Sequence, residues 1–327
     1  MASSAATAER PPLRIGAMVP PAERLPDVLP TDRLSRNGRP LGEVRASLRR
    51  IPDARNVLSV LGVWAQSFGV IALAVALDHP VAWVAAFMLM GRAFALYAIL
   101  AHEAAHRLLF NAKRWNDLVG RWALASPAFV PLDAYRRGHM AHHKDEMGPA
   151  EPDLELYAGY PIARASLRRK LQRDAFGSSG WKNLRGLFGA LRSTVGRPHA
   201  LRIAAAQLVL ISGFTLLGRP ELYLFLWLLP WLTVWRVINR LRAIAEHGGM
   251  GRSEDRRQTT HHVRQSLFAR FWMVPFNTGW HLAHHVDIGV PFRNLPRLHQ
   301  ELVDSGWFTP DLEYPNYRAL WRDLASG

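Results

Sequence analysis

The 327-residue sequence contains no cysteine. Disulfide cross-links, thiolate metal sites and cysteine-held iron–sulfur clusters are thereby excluded. Acidic residues are also scarce, with 26 Asp and Glu against 41 Lys and Arg and a formal net charge of +15. Basic balance alone would suit nucleic acid. Here, however, the arginines flank apolar stretches instead of gathering beside a reading helix, so nucleic acid is not an expected partner. The N-terminus lacks the apolar centre of a cleaved signal peptide. It carries Pro11, Pro12, Pro20, Pro21, Pro26, Pro30 and Pro40 among charges, and segment 1–54 is expected to be largely irregular.

What is present is hydrophobic, 49% of the chain. Four stretches approach the roughly twenty apolar residues that cross a bilayer as helix. They cover about 56–77, 81–101, 200–217 and 221–238. Asp78, His79 and Pro80 separate the first two, and Gly218, Arg219 and Pro220 the last two, so each pair reads as a helical hairpin. Lys and Arg are nearly absent from those turns, which places both termini and the segment between the hairpins on the cytoplasmic side. The expected fold is an all-α, multi-pass integral membrane protein. Four transmembrane helices in two hairpins carry a cytoplasmic helical cap, with a membrane domain over 55–300 and a cytoplasmic tail over 301–327. Two shorter apolar stretches, 118–132 and 267–280, are interrupted by Pro127, Pro131 and Pro275 and read as interfacial or re-entrant. Trp115, Trp122, Trp181, Trp272 and Trp280 suit the headgroup region. Arg92 lies mid-span, either buried against a polar neighbour or lining a polar path to a site.

Nine of the 14 histidines fall into four groups. His102 and His106 stand in His-Glu-Ala-Ala-His; His139, His142 and His143 in His-Met-Ala-His-His; His281, His284 and His285 in His-Leu-Ala-His-His; His247 follows Glu246. Spacings of three and four bring side chains to one face of a helix, so each box aims its imidazoles at a point. All four groups fall on the side of the membrane assigned to the cytoplasm by the basic residues. Nine imidazoles exceed the roughly four to six ligands of one ion and suit two, with room for water or oxygen. Imidazole accepts iron, zinc and copper. Iron is preferred because an open nitrogen site beside a bilayer suits oxygen activation on a lipid. The acids after the second box, Asp145, Glu146, Glu151 and Asp153, read either as a solvated loop or as candidates to accept imidazole N–H bonds, and Glu103, Glu246 and Asn277 are further candidates beside the boxes. His79, His199, His261, His262 and His299 read as surface or supporting groups.

The boxes His102–His106, His139–His143 and His281–His285, with Pro275-Phe-Asn-Thr-Gly-Trp before the last and Val290-Pro-Phe-Arg-Asn-Leu-Pro-Arg-Leu-His299 after it, resemble the membrane fatty acid desaturase family over about 55–300. The resemblance implies a non-haem di-iron centre, dioxygen, two electrons from a carrier and attack on an unactivated C–H bond. Related enzymes with these boxes hydroxylate lipids, carotenoids or small polar molecules. The first box is the short form and Ala243 stands four residues before His247, unlike the acyl-CoA subtype. Desaturation of a long-chain acyl lipid is the expected reaction, and hydroxylation of a lipid or polar substrate the alternative, with Arg92, Arg136 and Arg137 available to an anion. His102-Glu103-Ala-Ala-His106 also fits a zinc protease, with Glu103 as general base, but leaves seven clustered histidines idle. A metal transporter would place its ligands within the spans. No electron-transfer motif is present, so a separate ferredoxin-like or cytochrome-like carrier is an expected partner, beside membrane lipids.

Overall fold

The computed structural model describes residues 14–327. Residues 1–13, including Pro11 and Pro12 of the segment expected to be irregular, lie outside the described residues. Helix α1 (Gly42–Leu48) precedes α2 (Asp53–Leu77), and α3 (Pro80–His106) begins after Asp78 and His79 alone. Asp78 closes this turn in the left-handed region, at φ 40°. Pro80 takes the first helical position, where a missing N–H costs nothing, and His79 accepts the Val81 N–H. The middle of the chain forms α4 (Lys113–Val119), α5 (Leu132–Lys144), α6 (Leu154–Tyr157), α7 (Arg164–Ala175) and α8 (Ser178–Ala190). Helix α9 (Arg197–Leu216) leads into α10 (Glu221–Tyr223), α11 (Leu229–Leu232) and α12 (Val234–His247). The chain closes with α13 (Leu267–Trp272), α14 (His281–Val286), α15 (Leu295–Asp304) and α16 (Tyr317–Leu324). A parallel two-residue ladder pairs His262–Val263 with Glu313–Tyr314.

Four helical stretches are long and apolar enough to cross a bilayer: Gly42–Leu77, Pro80–His106, Arg197–Leu216 and Glu221–His247. Two of them run past the C-terminal ends of the hydropathic spans. Helix α3 continues past residue 101 to His106, because Ala and Glu in the first box are good helix formers. The fourth continues past 238 to His247, so three box histidines ride on the last turns of spanning helices. This fourth stretch is not one regular helix. A π-helical turn occupies Leu224–Leu228 ahead of Pro230, and the backbone breaks at Thr233 (φ −121°, ψ −83°). Proline supplies no N–H to the helical ladder. Near the break two carbonyls accept from side chains: Leu229 from the Thr233 hydroxyl at 2.6 Å, beside the Thr233 N–H at 3.1 Å, and Trp231 from Arg236 Nε at 3.2 Å.

An aromatic knot holds the spans together. Trp64 of α2 stacks on Trp227 at 5.9 Å between ring centres and meets Tyr97 of α3 edge-on at 5.3 Å. Phe68 and Phe214 of α9 join it. The same indoles solve a backbone problem in segment 118–132. There α4 runs into a π-helical turn, Gly120–Ala125, and then into irregular chain. Buried carbonyls without partners are costly in an apolar setting. Trp64, Trp227 and Trp231 donate Nε1–H to the carbonyls of Ala123, Pro127 and Ala128 at 2.9, 3.1 and 3.0 Å, and Gln207 donates to that of Ser126 at 2.8 Å.

The N-terminal strap is tied down although it holds little regular structure. Gly16 and Met18 donate to the carbonyls of Met250 and Gly249, and Arg33 forks onto Glu301 at 2.8 and 2.6 Å. At the other end α16 buries Leu320 and Leu324, and Trp321 donates to the Leu241 carbonyl of α12 at 3.0 Å. Both terminal segments thus brace the end of the helices that carries the histidines.

Candidate metal centre

All nine box histidines converge. His102 and His106 come from the end of α3, His139, His142 and His143 from α5, His247 from the end of α12, and His281, His284 and His285 from α14. Eight are buried and His106 is half-buried. Their nitrogens fall in a group of five and two overlapping groups of three, His142 with His143 and His285, and His247 with His281 and His285, which with His143 counted in the first read as two adjoining sets. In the first, His102, His106, His139, His143 and His284 lie with donor atoms within 4.8 Å of one another. Nε2 distances are 2.9 Å for His106–His139 and 3.1 Å for both His139–His143 and His143–His284. In the second, His247–His281 is 3.1 Å, His281–His285 3.0 Å and His142–His285 3.4 Å. The rings of His143 and His285, 4.4 Å apart, join the sets.

These residues fit bound metal. Donors about 2.1 Å from one ion and at right angles lie about 3 Å apart, which is the spacing observed. Both ring nitrogens of His102 are buried without a hydrogen-bond partner, a state native interiors avoid and an ion would relieve. Burial, reinforced by neighbouring imidazoles, holds His139, His143, His281, His284 and His285 well below the usual histidine range. Neutral imidazole is the form that binds metal.

The two sets differ in what stands behind them. Every imidazole of the second set turns its Nδ1 toward an oxygen: His142 to Glu151, His247 to the Thr259 carbonyl (2.9 Å) and Glu146 (3.3 Å), His285 to Glu146 (3.1 Å), and His281 to Glu246 (3.6 Å). The hydrogen bonds to Glu151 and Thr259 fix the tautomers of His142 and His247, free Nε2 for a metal and raise its basicity, whereas the Nδ1 atoms of His285 and His281 make no hydrogen bond to the carboxylates beside them. Burial would raise the Glu146 carboxyl, but hydrogen bonding to His247 and the charge of Arg256 hold it at about 2. Thr260 completes its bonding at 2.9 Å. Glu151 is likewise kept low against burial, by His142 and by the Tyr157 hydroxyl. Behind the first set the nearest carboxylate is Glu103, 3.9 Å from His102 Nδ1, and it accepts the Phe292 N–H at 3.3 Å.

Of the acids after the second box, the supporting positions fall to Glu146 and Glu151. Asp145 instead binds the Ala150 N–H and Arg252, 2.8 Å away. Asp153 faces a cavity, and burial raises its carboxyl. Glu246 is shared with Arg242 at 2.6 Å. Asn277, at φ 58°, shapes the turn before α14 through its backbone. Arg92 donates to the Phe271 carbonyl (2.6 Å) and Gln66 (2.8 Å) and pins α13 to the spans, away from the cavity wall. Arg136 caps α3 through the carbonyls of Ala104 and Ala105. Tyr157, Arg256 and Thr260 carried no signal in the sequence, since they reach the site from the end of α6 and from the turn after α12, outside every box.

A cavity of about 690 Å³ opens onto His102, His139, His142, His247 and His281. Its walls mix apolar groups, among them Phe129, Leu187, Trp231 and Trp235, with polar ones on α8 and α12.

Comparison with known proteins agrees with this geometry. Residues 78–321 match the family model described as fatty acid desaturase. The chain is 25% identical over 261 residues to the dihydrorhizobitoxine desaturase of Bradyrhizobium elkanii, covering 74% of this chain and 73% of that protein. It is 25% identical over 275 residues to the sn-1 oleoyl-lipid 12-desaturase of Anabaena variabilis, covering 77% and 74%.

Proposed function

Because the chain belongs to the fatty acid desaturase family, we propose that it is a dioxygen-dependent oxidoreductase that desaturates an acyl chain at a site of two iron ions. The observation that carries this reading is the convergence of nine imidazoles into two adjoining sets with nitrogens about 3 Å apart. His102, His106, His139, His143 and His284 would hold one ion, and His142, His247, His281 and His285 the other. Bound iron with dioxygen supplies an oxidant for an unactivated C–H bond. The chain's own residues do the rest. Glu151 and the Thr259 carbonyl orient imidazoles through Nδ1, and the cavity wall keeps the substrate beside the histidines and away from bulk water. The acyl chain loses two hydrogens from adjacent carbons as a double bond forms. Dioxygen takes two electrons and two further protons, and two waters result. The electrons come from a separate ferredoxin-like or cytochrome-like carrier docking on the basic face.

We place the histidine end of the helices, both termini and segment 102–199 on the cytoplasmic side, on the distribution of Lys and Arg. A reporter fused after Gly327 should behave as cytoplasmic and one inserted at Asp78 as external; the reverse would refute this orientation. A second reading, oxidation of a polar substrate, is favoured by Asp153, Arg236 and Asn239 in the cavity wall. The test is product analysis by mass spectrometry with purified enzyme, dioxygen and a reduced carrier. An unsaturated acyl product supports the first reading, a hydroxylated one the hydroxylase form. Activity confined to small polar compounds would remove the lipid assignment.

A further inference from the structure

We propose that the cavity beside the metal centre is an oxyanion site: Arg236, with Asn239 beside it, binds the carboxylate or phosphate of a chain-bearing substrate. The proposal rests on the cavity being the substrate chamber of that centre.

One face of α12 forms a wall of the chamber. Arg236, Asn239, Arg242, Ala243, Glu246 and His247 recur at spacings of three and four and all line it. At one end of this face His247 belongs to the metal site. The charges between are settled, since Arg242 is held by Glu246 at 2.6 Å. Arg240, on another face, is held by Asp174. Arg236 differs. Its guanidinium lies over the Trp231 ring, 4.0 Å from the centre, and Nε donates to the Trp231 carbonyl. Among the described residues no carboxylate forms an ion pair with it, since Asp174, the acid whose charge reaches it, is held by Arg240, and its terminal N–H groups make no hydrogen bond there. Asp153 also lines the chamber but lies toward His142 and His247 and forms no ion pair with Arg236.

Asn239, one turn on, makes no side-chain hydrogen bond among the described residues. Lys182 and Asn183 of α8 line the same chamber and are also without partners there. Arg236 and Asn239, both half-buried, therefore face a chamber that offers them no protein acceptor, while Lys182 and Asn183 are exposed. A guanidinium beside Trp231, Trp235 and Leu187 is costly unless an anion meets it. Its planar fork suits the paired oxygens of carboxylate or phosphate. Arg236 precedes His247 by eleven residues, roughly 16 Å of helix. A substrate held there by its anionic end must extend along α12 to reach the histidines, which selects a chain over a compact acid.

The competing role for Arg236 is structural, capping the carbonyl freed at the break before Thr233. The test separates the two. Iron-loaded protein in non-ionic detergent, without dioxygen or reductant, is titrated with oleate, dioleoyl phosphatidate and methyl oleate, and binding is read from the rise in melting midpoint. At least one anion should bind about tenfold or more tightly than the uncharged ester, as charge-assisted hydrogen bonds predict. The anion that does so identifies the source of the oxyanion. Arg236→Gln should erase the preference and Arg236→Lys should restore part of it. A purely structural arginine would lower the unliganded midpoint in the variants and leave the preference intact. Should Arg236→Gln fail to fold, Asn239→Ala should still narrow the gap between anion and ester. Equal binding of ester and both anions by the parent protein, or an undiminished preference in Arg236→Gln, overturns the proposal. Since no turnover is measured, an absence of desaturase activity would leave this outcome readable.

Discussion

At the scale of single residues, eight of the nine histidines were legible because helical spacing makes each box convergent, while His247 stood alone beside Glu246 at the end of the fourth span. The groups behind them were only partly so. Four acids follow the second box within ten residues, and nothing in their order says which turns inward. The choice is made by Arg256 and Thr260, which fix Glu146, and by Tyr157, which fixes Glu151. Glu146 places its charge within 3.3 Å of His247 Nδ1 and 3.1 Å of His285 Nδ1, two of the four imidazoles of the second set, whereas no carboxylate comes as close to the first set. The sets should therefore lose metal unequally. Glu146→Gln keeps the shape but removes the charge, and such substitutions behind a metal typically cost 10- to 100-fold in affinity. Metal content after dialysis against a mild chelator should fall from about two ions per chain toward one. Equal loss from both positions, or none, would show that the carboxylate does not distinguish them.

At the scale of elements, hydropathy revealed four spans, but their ends and irregularities were set by contacts. The first box extends α3 because its residues favour helix, which a hydropathic window ending at residue 101 does not register. Segment 118–132 read as interfacial or re-entrant from its prolines, yet the indoles that satisfy its carbonyls come from α2 and the fourth span, some 60 to 100 residues away. Gly91 shows how close the ligand-bearing helices approach. A Cβ there would lie 2.3 Å from Val234 Cβ at the start of α12. Gly91→Ala should push α3 and α12 apart, and with them His102, His106 and His247. Overpacking of this kind costs about 1–3 kcal/mol. Gly62 of α2 meets nothing within 4 Å, so Gly62→Ala should be neutral or slightly stabilising, as helix propensity predicts. Melting midpoints of the two variants in detergent check this. Equal behaviour would mean that the α3–α12 approach is not tight.

At the scale of the whole molecule, the buried histidines couple stability to pH. Five box imidazoles are held well below the usual range by burial, and so are His261, at about 4, and His299, at about 3. In the unfolded chain each takes up a proton near pH 6.5. Below that pH the unfolded state binds more protons than the folded one, so stability rises with pH across the interval. The contribution is fully present above about pH 6.5 and is lost as pH falls toward the folded values. Metal-stripped protein should melt at a distinctly lower temperature at about pH 5 than at about pH 7.5. A flat profile would mean that the imidazoles are not buried in the neutral form. The most direct test of the account as a whole is the metal content of protein purified without oxygen. Two groups of imidazole, five and four, predict close to two iron ions per chain; a single zinc ion with no uptake of iron would contradict the di-iron centre and return His102-Glu103-Ala-Ala-His106 to a hydrolytic role.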